Sequence, residues 1–307
     1  MSTPFLTLGT RGSPLALKQA YETRARLAAA HGVAEEAIAV TPIRTTGDAI
    51  RDRALSEAGG KGLFTKELDA ALLSGAIDIA VHSAKDVPTF LEPGVVIAGY
   101  LPRVDVRDGL IAAPGATLAT LRPGARIGTA SIRRQAQLKR FRSDFEIGLL
   151  RGNVDTRIRK VEEGEFDATL LAMAGLTRLG QVDRVAEILP LEGFLPAVGQ
   201  GAIAIASRAQ DARITALLAA IIDLDTGLAL AAERAFLTRL DGSCRTPIGG
   251  LATIHNGIVT FRGEALLPDG SDGATVAIEG PVARAAELGD EAGKDLLARA
   301  PAGVVGR

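Results

Sequence analysis

Apolar and polar positions follow a strand-then-helix rhythm along the first two-thirds of the chain. Residues 5–10 (FLTLGT) and 38–46 (IAVTPIRTT) have the apolar and β-branched side chains that are typical of strands. Residues 62–75 (GLFTKELDAALLSG) place their leucines on one face of a helix. Ser13 followed by Pro14 has the pattern of a helix cap and a first helical residue. This order of elements predicts parallel sheets in α/β domains.

The same rhythm returns after residues 102–124, which are rich in proline and glycine and indicate a domain boundary. Residues 125–180 have the pattern of three further strand–helix pairs, and residues 195–208 that of a strand that returns to the first domain. From about Asp223 the pattern changes to a helix, two hairpin strands and a final helix, which is typical of a small α+β domain. We therefore predict an α/β protein with two α/β domains and a C-terminal α+β domain, in the order residues 1–101 with 200–220, residues 105–196 and residues 223–307.

The composition excludes several classes of protein. The formal net charge of −1 argues against a general nucleic-acid binder, which carries a strong basic excess. The sequence has no run of the roughly 20 apolar residues that a membrane span needs, and its N-terminus lacks the pattern of a secretory signal. A single cysteine cannot form an internal disulfide, which fits a reducing compartment. We expect a cytoplasmic protein that binds neither nucleic acid nor a membrane.

The sequence predicts no metal site. The single cysteine and the three scattered histidines, His31, His82 and His255, do not have the spacing of metal ligands. We interpret His82 as a packed strand residue rather than a base.

Cationic and hydroxyl side chains recur where predicted strands end and helices begin. Ligands bind at such junctions in α/β sheets, because exposed helix N–H groups and the helix dipole favour anions there. Arginine pairs through two nitrogens with carboxylate or phosphate, although a solvated surface ion pair is the alternative for any one arginine taken alone. Their recurrence in both α/β units indicates a cleft for a polyanion, carried by Arg11, Ser13, Lys85, Thr129, Ser131, Arg133, Arg134, Arg151 and Arg157.

Asp86 directly follows a predicted strand, next to Lys85. Its carboxylate has two interpretations, either a functional group at the rim of the sheet or an Asx turn before Val87 and Pro88.

Cys244 lies in the segment DGSCRTPIGG (241–250), whose residues favour a turn. An exposed thiol beside Arg245 would be partly thiolate and therefore nucleophilic, whereas a small buried hydrophobic residue is the alternative. A cysteine hydrolase needs a histidine partner, which the sequence does not visibly supply. We therefore interpret Cys244 as an attachment point.

Taken together, the motifs of the chain resemble the porphobilinogen deaminase family, in the order LGTRGSPLAL, GGKGLFTKEL, DIAVHSAKDVPT, GTASIRRQAQL, LRGNVDTRI, AGLTRLG, LPAVGQGA and AAERAFLTRLDGSCRTPIG. That family has three domains, of which the first two resemble the halves of a two-lobed periplasmic binding protein. Its members are monomeric transferases of porphyrin and haem biosynthesis. They join four molecules of the small-molecule substrate porphobilinogen into hydroxymethylbilane and release ammonia.

The resemblance implies a role for each candidate residue. Cys244 would carry a dipyrromethane primer through a thioether. Because every pyrrole unit brings an acetate and a propionate, the other residues would bind carboxylates. The cofactor-binding residues would be Lys85, Asp86, Thr129, Ser131, Arg133, Arg134 and Arg151. The substrate-binding residues would be Arg11, Ser13, Arg151 and Arg157.

The resemblance also implies that Asp86 is catalytic and stabilises the azafulvene cation left when ammonia departs. Residues 47–62 resemble a lid. The chain departs from the family pattern at Ala130, where a second serine is frequent, and at Glu57, where some members have lysine. The alternative function is a non-catalytic, two-lobed polycarboxylate-binding protein, which would use the arginines but leave Cys244 unexplained.

Overall fold

The computed structural model describes residues 4–49, 62, 64–240 and 246–304. The strands are β1 (Leu6–Arg11), β2 (Ile38–Ile43), β3 (Ile79–Ser83), β4 (Val95–Tyr100), β5 (Asp108–Ile111), β6 (Arg126–Gly128), β7 (Glu146–Gly148), β8 (Ala168–Ala172), β9 (Glu187–Ile188), β10 (Ile203–Arg208), β11 (Ile248–His255), β12 (Ile258–Leu266) and β13 (Gly273–Pro281). The α-helices are α1 (Pro14–His31), α2 (Thr46–Ala49), α3 (Lys66–Leu73), α4 (Ile132–Phe141), α5 (Val154–Glu162), α6 (Met173–Leu179), α7 (Ala212–Leu218), α8 (Leu224–Arg239) and α9 (Ala285–Arg299). The chain divides into two compact units.

The first unit holds a five-stranded sheet in the order β2-β1-β3-β10-β4. β1 is parallel to β2 and β3, whereas β10 runs antiparallel to β3 and β4. Both faces of β3 are covered, since Ile79 and Val81 join the core beside α1 while Ala80 joins the core under α3. The described residues of this unit come from Met1–Arg51, Gly60–Val104 and Gly201–Gly227.

The second unit contains two sheets, built by described residues of Asp105–Gln200 and Leu228–Arg307. The five-stranded sheet has the order β7-β6-β8-β5-β9, with β6 parallel to β7 and β8, and β5 antiparallel to β8 and β9. The other sheet is antiparallel, in the order β11-β12-β13. Residues of α8 and α9 pack on it, and the rings of Phe236 and Phe261 lie 4.8 Å apart in its core.

Short-range signals in the sequence explain where several of these elements begin and turn. The Ser13 side chain accepts a hydrogen bond from the Ala16 N–H and so caps α1, and Pro14 is the first helical residue. Asn256 and Gly257 have φ of 50° and 73°, which makes the tight hairpin turn between β11 and β12.

The predicted α/β class with a small α+β part is confirmed, but the prediction of parallel sheets was wrong in part. β5 and β10 both run against their neighbours, so both large sheets are mixed. Residues 102–124, interpreted as a boundary, contain β5, which lies between β8 and β9. The strand predicted to return to the first sheet does so as β10.

The division into three domains with the stated boundaries stays a prediction. No helix in the described part of the chain is long and apolar enough to span a membrane.

Candidate active site

Polar side chains of the first unit lie at one edge of its sheet, where β1 and β3 end. Arg11 is the last residue of β1, and Ser13 caps α1. Ser83 is the last residue of β3, and Asp86 ends the 3₁₀ turn that follows. Because β1 and β3 are parallel neighbours, their carboxyl ends meet at the same edge of the sheet. We refer to Arg11, Ser13, Ser83 and Asp86 as the β1–β3 edge; Lys85, in the same 3₁₀ turn, is exposed.

An ion pair and a small pocket occupy the β1–β3 edge. Arg11 Nη1 lies 3.7 Å from Asp86 Oδ2, and the two side chains are 21% and 35% exposed. The guanidinium carbon of Arg11 lies 4.0 Å from the centre of the Phe64 ring, within the range of a cation–π interaction. A pocket of about 60 Å³ is lined by Arg11, Phe64 and Asp86, together with Ser13 and Gln19. That volume admits a small polar group such as a carboxylate with a few waters.

His82 lies beside this pocket but is buried in β3. Burial lowers the pKa of His82 to about 4, and the nearby positive charge of Arg11 acts in the same direction. The imidazole is therefore neutral at physiological pH, because a low-dielectric environment disfavours its charged form. Its burial agrees with its interpretation as a packed strand residue.

A second polar edge lies in the second unit, where β6 and β7 end. The Thr129 N–H donates to the Gly148 carbonyl at 2.9 Å and so joins the ends of the two strands. Ser131 caps α4, and Arg151 follows β7. Arg157 lies on α5, and its Nε donates to the Gly152 carbonyl at 2.8 Å. We refer to Thr129, Ser131, Arg151 and Arg157 as the β6–β7 edge.

Arg133 and Arg134 differ from the other candidate arginines because they are buried. Their side chains are 6% and 7% exposed, and both pair with the fully buried carboxylate of Asp108. Arg133 Nη2 donates to Asp108 Oδ2 at 2.9 Å. Arg134 donates to both carboxylate oxygens, from Nε at 3.1 Å and from Nη2 at 2.8 Å. The sequence predicted that these guanidiniums line a cleft for a polyanion, and the structure places them in a buried ion cluster. Carboxylate binding by them stays a prediction.

One nitrogen of this cluster is not satisfied by the described residues. Arg133 Nη1 donates to Gln137 Oε1 at 2.8 Å and to the Leu195 carbonyl at 2.7 Å. Arg133 Nε is buried and has no hydrogen-bond partner among the described residues. Burial lowers the pKa of Arg133, against the charge of Asp108, but a guanidinium keeps its proton at neutral pH. Arg133 Nε is therefore a buried donor in need of an acceptor.

We expect Arg134→Leu to lower the free energy of unfolding by about 3 kcal/mol, because it strips two hydrogen bonds from a buried carboxylate. Arg159→Leu is the matched control, since Arg159 lies in the same unit and its side chain is 63% exposed. Urea unfolding of both variants measures the difference. Equal midpoints for Arg134→Leu, Arg159→Leu and the wild type would contradict the stabilising role of the buried cluster.

Several predicted features lie outside the described residues. Cys244 is one of them, within 241–245, and so are residues 50–61 of the predicted lid, Glu57 included. Within the described ranges, no group of three or more His, Cys, Asp or Glu side chains is placed to hold a metal ion.

Four other polar residues of the buried ion cluster were not predicted from the sequence. These are Asp108, Gln137, Gln200 and Glu264. One signal was available for two of them, because Asp108 and Glu264 interrupt apolar strand patterns (DGLIAA and GEALL). A carboxylate at such a position requires a buried partner.

Known proteins match the chain over nearly its whole length. The family models described as "Porphobilinogen deaminase, dipyromethane cofactor binding domain" and "Porphobilinogen deaminase, C-terminal domain" match residues 6–216 and 228–298. A porphobilinogen deaminase of Nitrobacter winogradskyi is 56% identical over 294 residues, which cover 96% of this chain and 93% of that protein. One of Paracoccus denitrificans is 52% identical over 297 residues, which cover 97% and 95%. A solved periplasmic substrate-binding protein of an ABC transporter from Coxiella burnetii covers 75% of this chain and 97% of its own, at 15% identity and a TM-score of 0.44, a likeness too weak to indicate a function.

The chain has an α/β fold with cationic strand ends in both large sheets, and it matches these relatives over nearly its whole length. Together these findings define a transferase of tetrapyrrole synthesis. The chain belongs to the porphobilinogen deaminase family. This confirms the resemblance seen in the sequence motifs, and residues 6–216 correspond to the part of the family that binds the dipyrromethane cofactor.

Proposed function

We propose that this chain joins four porphobilinogen molecules head to tail into hydroxymethylbilane and releases ammonia at each condensation. The observation that carries the proposal is the placement of Arg11 beside Asp86 at one pocket. Arg11 offers a cation to the acidic side chains of a pyrrole, and Asp86 offers a carboxylate to positive charge on its ring. A protein that only binds polycarboxylates would gain nothing from Asp86, because a carboxylate there repels its ligand.

The residues present fit a cofactor that carries carboxylates. The unpaired Arg133 Nε is the evidence, since a buried donor without an acceptor costs about 1–3 kcal/mol and a carboxylate oxygen would satisfy it. We propose that the cofactor is dipyrromethane, which when bound supplies the primer end that is extended. The residues proposed to hold it are Lys85, Asp86, Thr129, Ser131, Arg133, Arg134 and Arg151.

We propose Asp86 as the catalytic residue. When ammonia leaves porphobilinogen, positive charge develops on the substrate, and a fixed carboxylate stabilises that charge without reorganising. Arg11 holds the Asp86 carboxylate in place, while Arg11, Ser13, Arg151 and Arg157 bind the acidic side chains of the substrate. Their positions at strand ends and helix N-termini favour anions for the reasons given above.

We propose Cys244 as the point of attachment, through a thioether to dipyrromethane. A thiolate is a good nucleophile, and the thioether that it forms has no easily displaced leaving group. The single cysteine of the chain agrees with a reducing, cytoplasmic setting. We also propose a monomer that needs no metal, nucleic acid or membrane.

Mass spectrometry of the purified protein tests the proposed function directly. We expect an excess of two pyrrole units over the 31.8 kDa chain, and further one-unit increments after porphobilinogen is added. An assay of free ammonia should show one molecule released for each unit added. A protein with the bare chain mass that binds porphobilinogen without releasing ammonia would instead be the polycarboxylate-binding alternative.

A further inference from the structure

The arginine-bearing helix α4 is tied to the C-terminal sheet by a buried carboxylate. Glu264 lies on β12 and is 3% exposed. Its Oε1 accepts a hydrogen bond from Gln137 Nε2 at 2.5 Å, and its Oε2 accepts one from Arg140 Nη1 at 2.9 Å. Both donors lie on α4, one turn and two turns after Arg133. Glu264 therefore contacts the helix from the sheet side and leaves Arg133 itself to other partners.

Glu264 fixes which way the amide of Gln137 faces. Gln137 Nε2 donates to Glu264 and also to the Leu195 carbonyl at 2.8 Å, so both amide hydrogens are used. The Gln137 Oε1 atom is then left to accept from Arg133 Nη1 at 2.8 Å. A flipped amide would set NH₂ against the guanidinium, donor against donor, and NH₂ cannot accept. The negative charge of Glu264 thus favours the amide orientation in which Gln137 Oε1 accepts from Arg133 Nη1, beside the Leu195 carbonyl.

α4 and the C-terminal sheet are in close contact, so Glu264 on the sheet can set the orientation of the Gln137 amide on the helix. The turn between β12 and β13 sits on the helix, where Gln135 Nε2 donates to the Pro268 carbonyl at 3.1 Å. Gly270 has φ of 71°, and a Cβ there would lie 2.3 Å from the Ala136 carbonyl oxygen. Any other residue would push the turn off α4, so glycine is needed for both its φ and its lack of a side chain.

Glu264 is also paired with the strand that follows the cysteine segment. Across the β11–β12 ladder its partner is Gly249, five residues after Cys244 in the sequence. A Cβ on Gly249 would lie 3.2 Å from Glu264 Oε1 and 2.9 Å from Leu195 Cβ, so the missing side chain makes room for the carboxylate. One residue therefore connects the strand after Cys244 to the helix that carries Arg133.

We propose that Glu264 is a positioning residue, which acts through Gln137 to hold the Arg133 guanidinium in the orientation that binds a carboxylate of the cofactor. This inference rests on the proposed function, in which Arg133 binds dipyrromethane. Glu264 itself touches neither cofactor nor substrate in this proposal. It sets the direction in which the unpaired Arg133 Nε–H points.

The test compares Glu264→Gln with Gln137→Met, and uses Glu192→Gln as the matched control. Glu192 pairs with Arg262 on the same strand β12, but its side chain is 78% exposed. Two quantities are measured on each full-length protein: the fraction that carries the two-pyrrole mass excess, and the water exchange of the Arg133 Nε–H by ¹H–¹⁵N spectroscopy, assigned by its absence in Arg133→Lys. The exchange rate reports how well the Arg133 Nε–H is shielded from water.

We expect Glu264→Gln and Gln137→Met each to lower the loaded fraction and to speed the exchange of Arg133 Nε–H about tenfold. The hydrogen bond from Arg133 Nη1 to Gln137 Oε1, which holds the guanidinium in place, is weakened or lost, and one hydrogen bond is worth about that factor. Glu192→Gln should match the wild type. Because Glu264 acts through Gln137, the double variant Glu264→Gln/Gln137→Met should have the same loaded fraction and exchange rate as Gln137→Met alone. If Glu264→Gln fails to fold, Gln137→Met still decides, since it leaves the pair of Glu264 with Arg140 in place.

The positioning role would be overturned if Gln137→Met or Glu264→Gln had the same exchange rate and loaded fraction as the wild type. Fully additive effects in the double variant would also overturn it. Failure of the proposed function has a different signature. In that case the wild type itself would lack the mass excess, while the exchange of Arg133 Nε–H would still report whether Glu264 orients it.

Discussion

Replacing Cys244 with serine is expected to abolish both the two-pyrrole mass excess and the formation of hydroxymethylbilane. An alcohol is a far poorer nucleophile than a thiolate, so the primer is not attached and no chain starts. The fold should survive, because the described cores around α8 and β11–β13 are built from apolar residues outside the segment 241–245. Intact mass, Ehrlich's reagent and product formation from porphobilinogen measure the outcome.

Cys244→Ala serves as the companion variant, since it removes the hydroxyl as well as the thiol. Both variants should fold, unfold in urea at the same concentration as each other, and remain colourless with Ehrlich's reagent. A serine variant that still carried the mass excess and turned over would refute the attachment of the cofactor at Cys244.

Features that depend on neighbouring residues could be predicted from the sequence. Ser13 caps α1 because a hydroxyl three residues before the Ala16 N–H is all that this cap requires. Gly75 and Gly180 follow α3 and α6 with φ of 76° and 66°, the left-handed conformation in which helices often end. The grouping of Arg11 with Asp86 was also predictable, because the ends of neighbouring parallel strands must meet.

The direction of β10 could not be predicted, because no local signal encodes it. β10 has the apolar run of a buried strand, and such a run has the same appearance in a parallel or an antiparallel position. Its direction follows from the long connection that brings residues 203–208 back between β3 and β4. β3 likewise shows no alternation in burial from Ile79 to His82, because helices cover both faces of its sheet.

The buried ion cluster could not be predicted from the sequence for a related reason. Asp105 and Asp108 look alike in the sequence, yet Asp105 pairs with its neighbour Arg107 in an exposed ion pair. Asp108 is fully buried and pairs with two arginines that lie 25 and 26 residues away. Only the fold brings these residues together, and without its arginine partners the buried Asp108 carboxylate would be prohibitively costly. The sequence showed which residues had the right chemistry, and the tertiary structure determined which of them share a partner.

Asp86→Asn is expected to lower the rate of hydroxymethylbilane formation by about 10²-fold or more, the usual effect of losing an electrostatic or acid–base group. The amide keeps the shape of the side chain but loses its charge. Stability should change by less than about 1 kcal/mol, because the Arg11–Asp86 pair is partly exposed at 3.7 Å. The turn is closed by its backbone, from the Val87 N–H to the Ala84 carbonyl, which asparagine leaves intact. Steady-state rates and melting temperatures are measured together.

Asp183→Asn is the matched control for Asp86→Asn, because Asp183 lies in a similar 3₁₀ turn, Val182–Arg184, closed by the Val185 N–H. It should leave both rate and melting temperature near the wild type. Asp86→Glu should retain a little activity, since the charge remains but is displaced by one methylene. If Asp86 were only an Asx-turn residue, asparagine would cap the same turn and the rate would not fall. A folded, cofactor-loaded Asp86→Asn protein with a near-normal rate would therefore end its assignment as the catalytic residue.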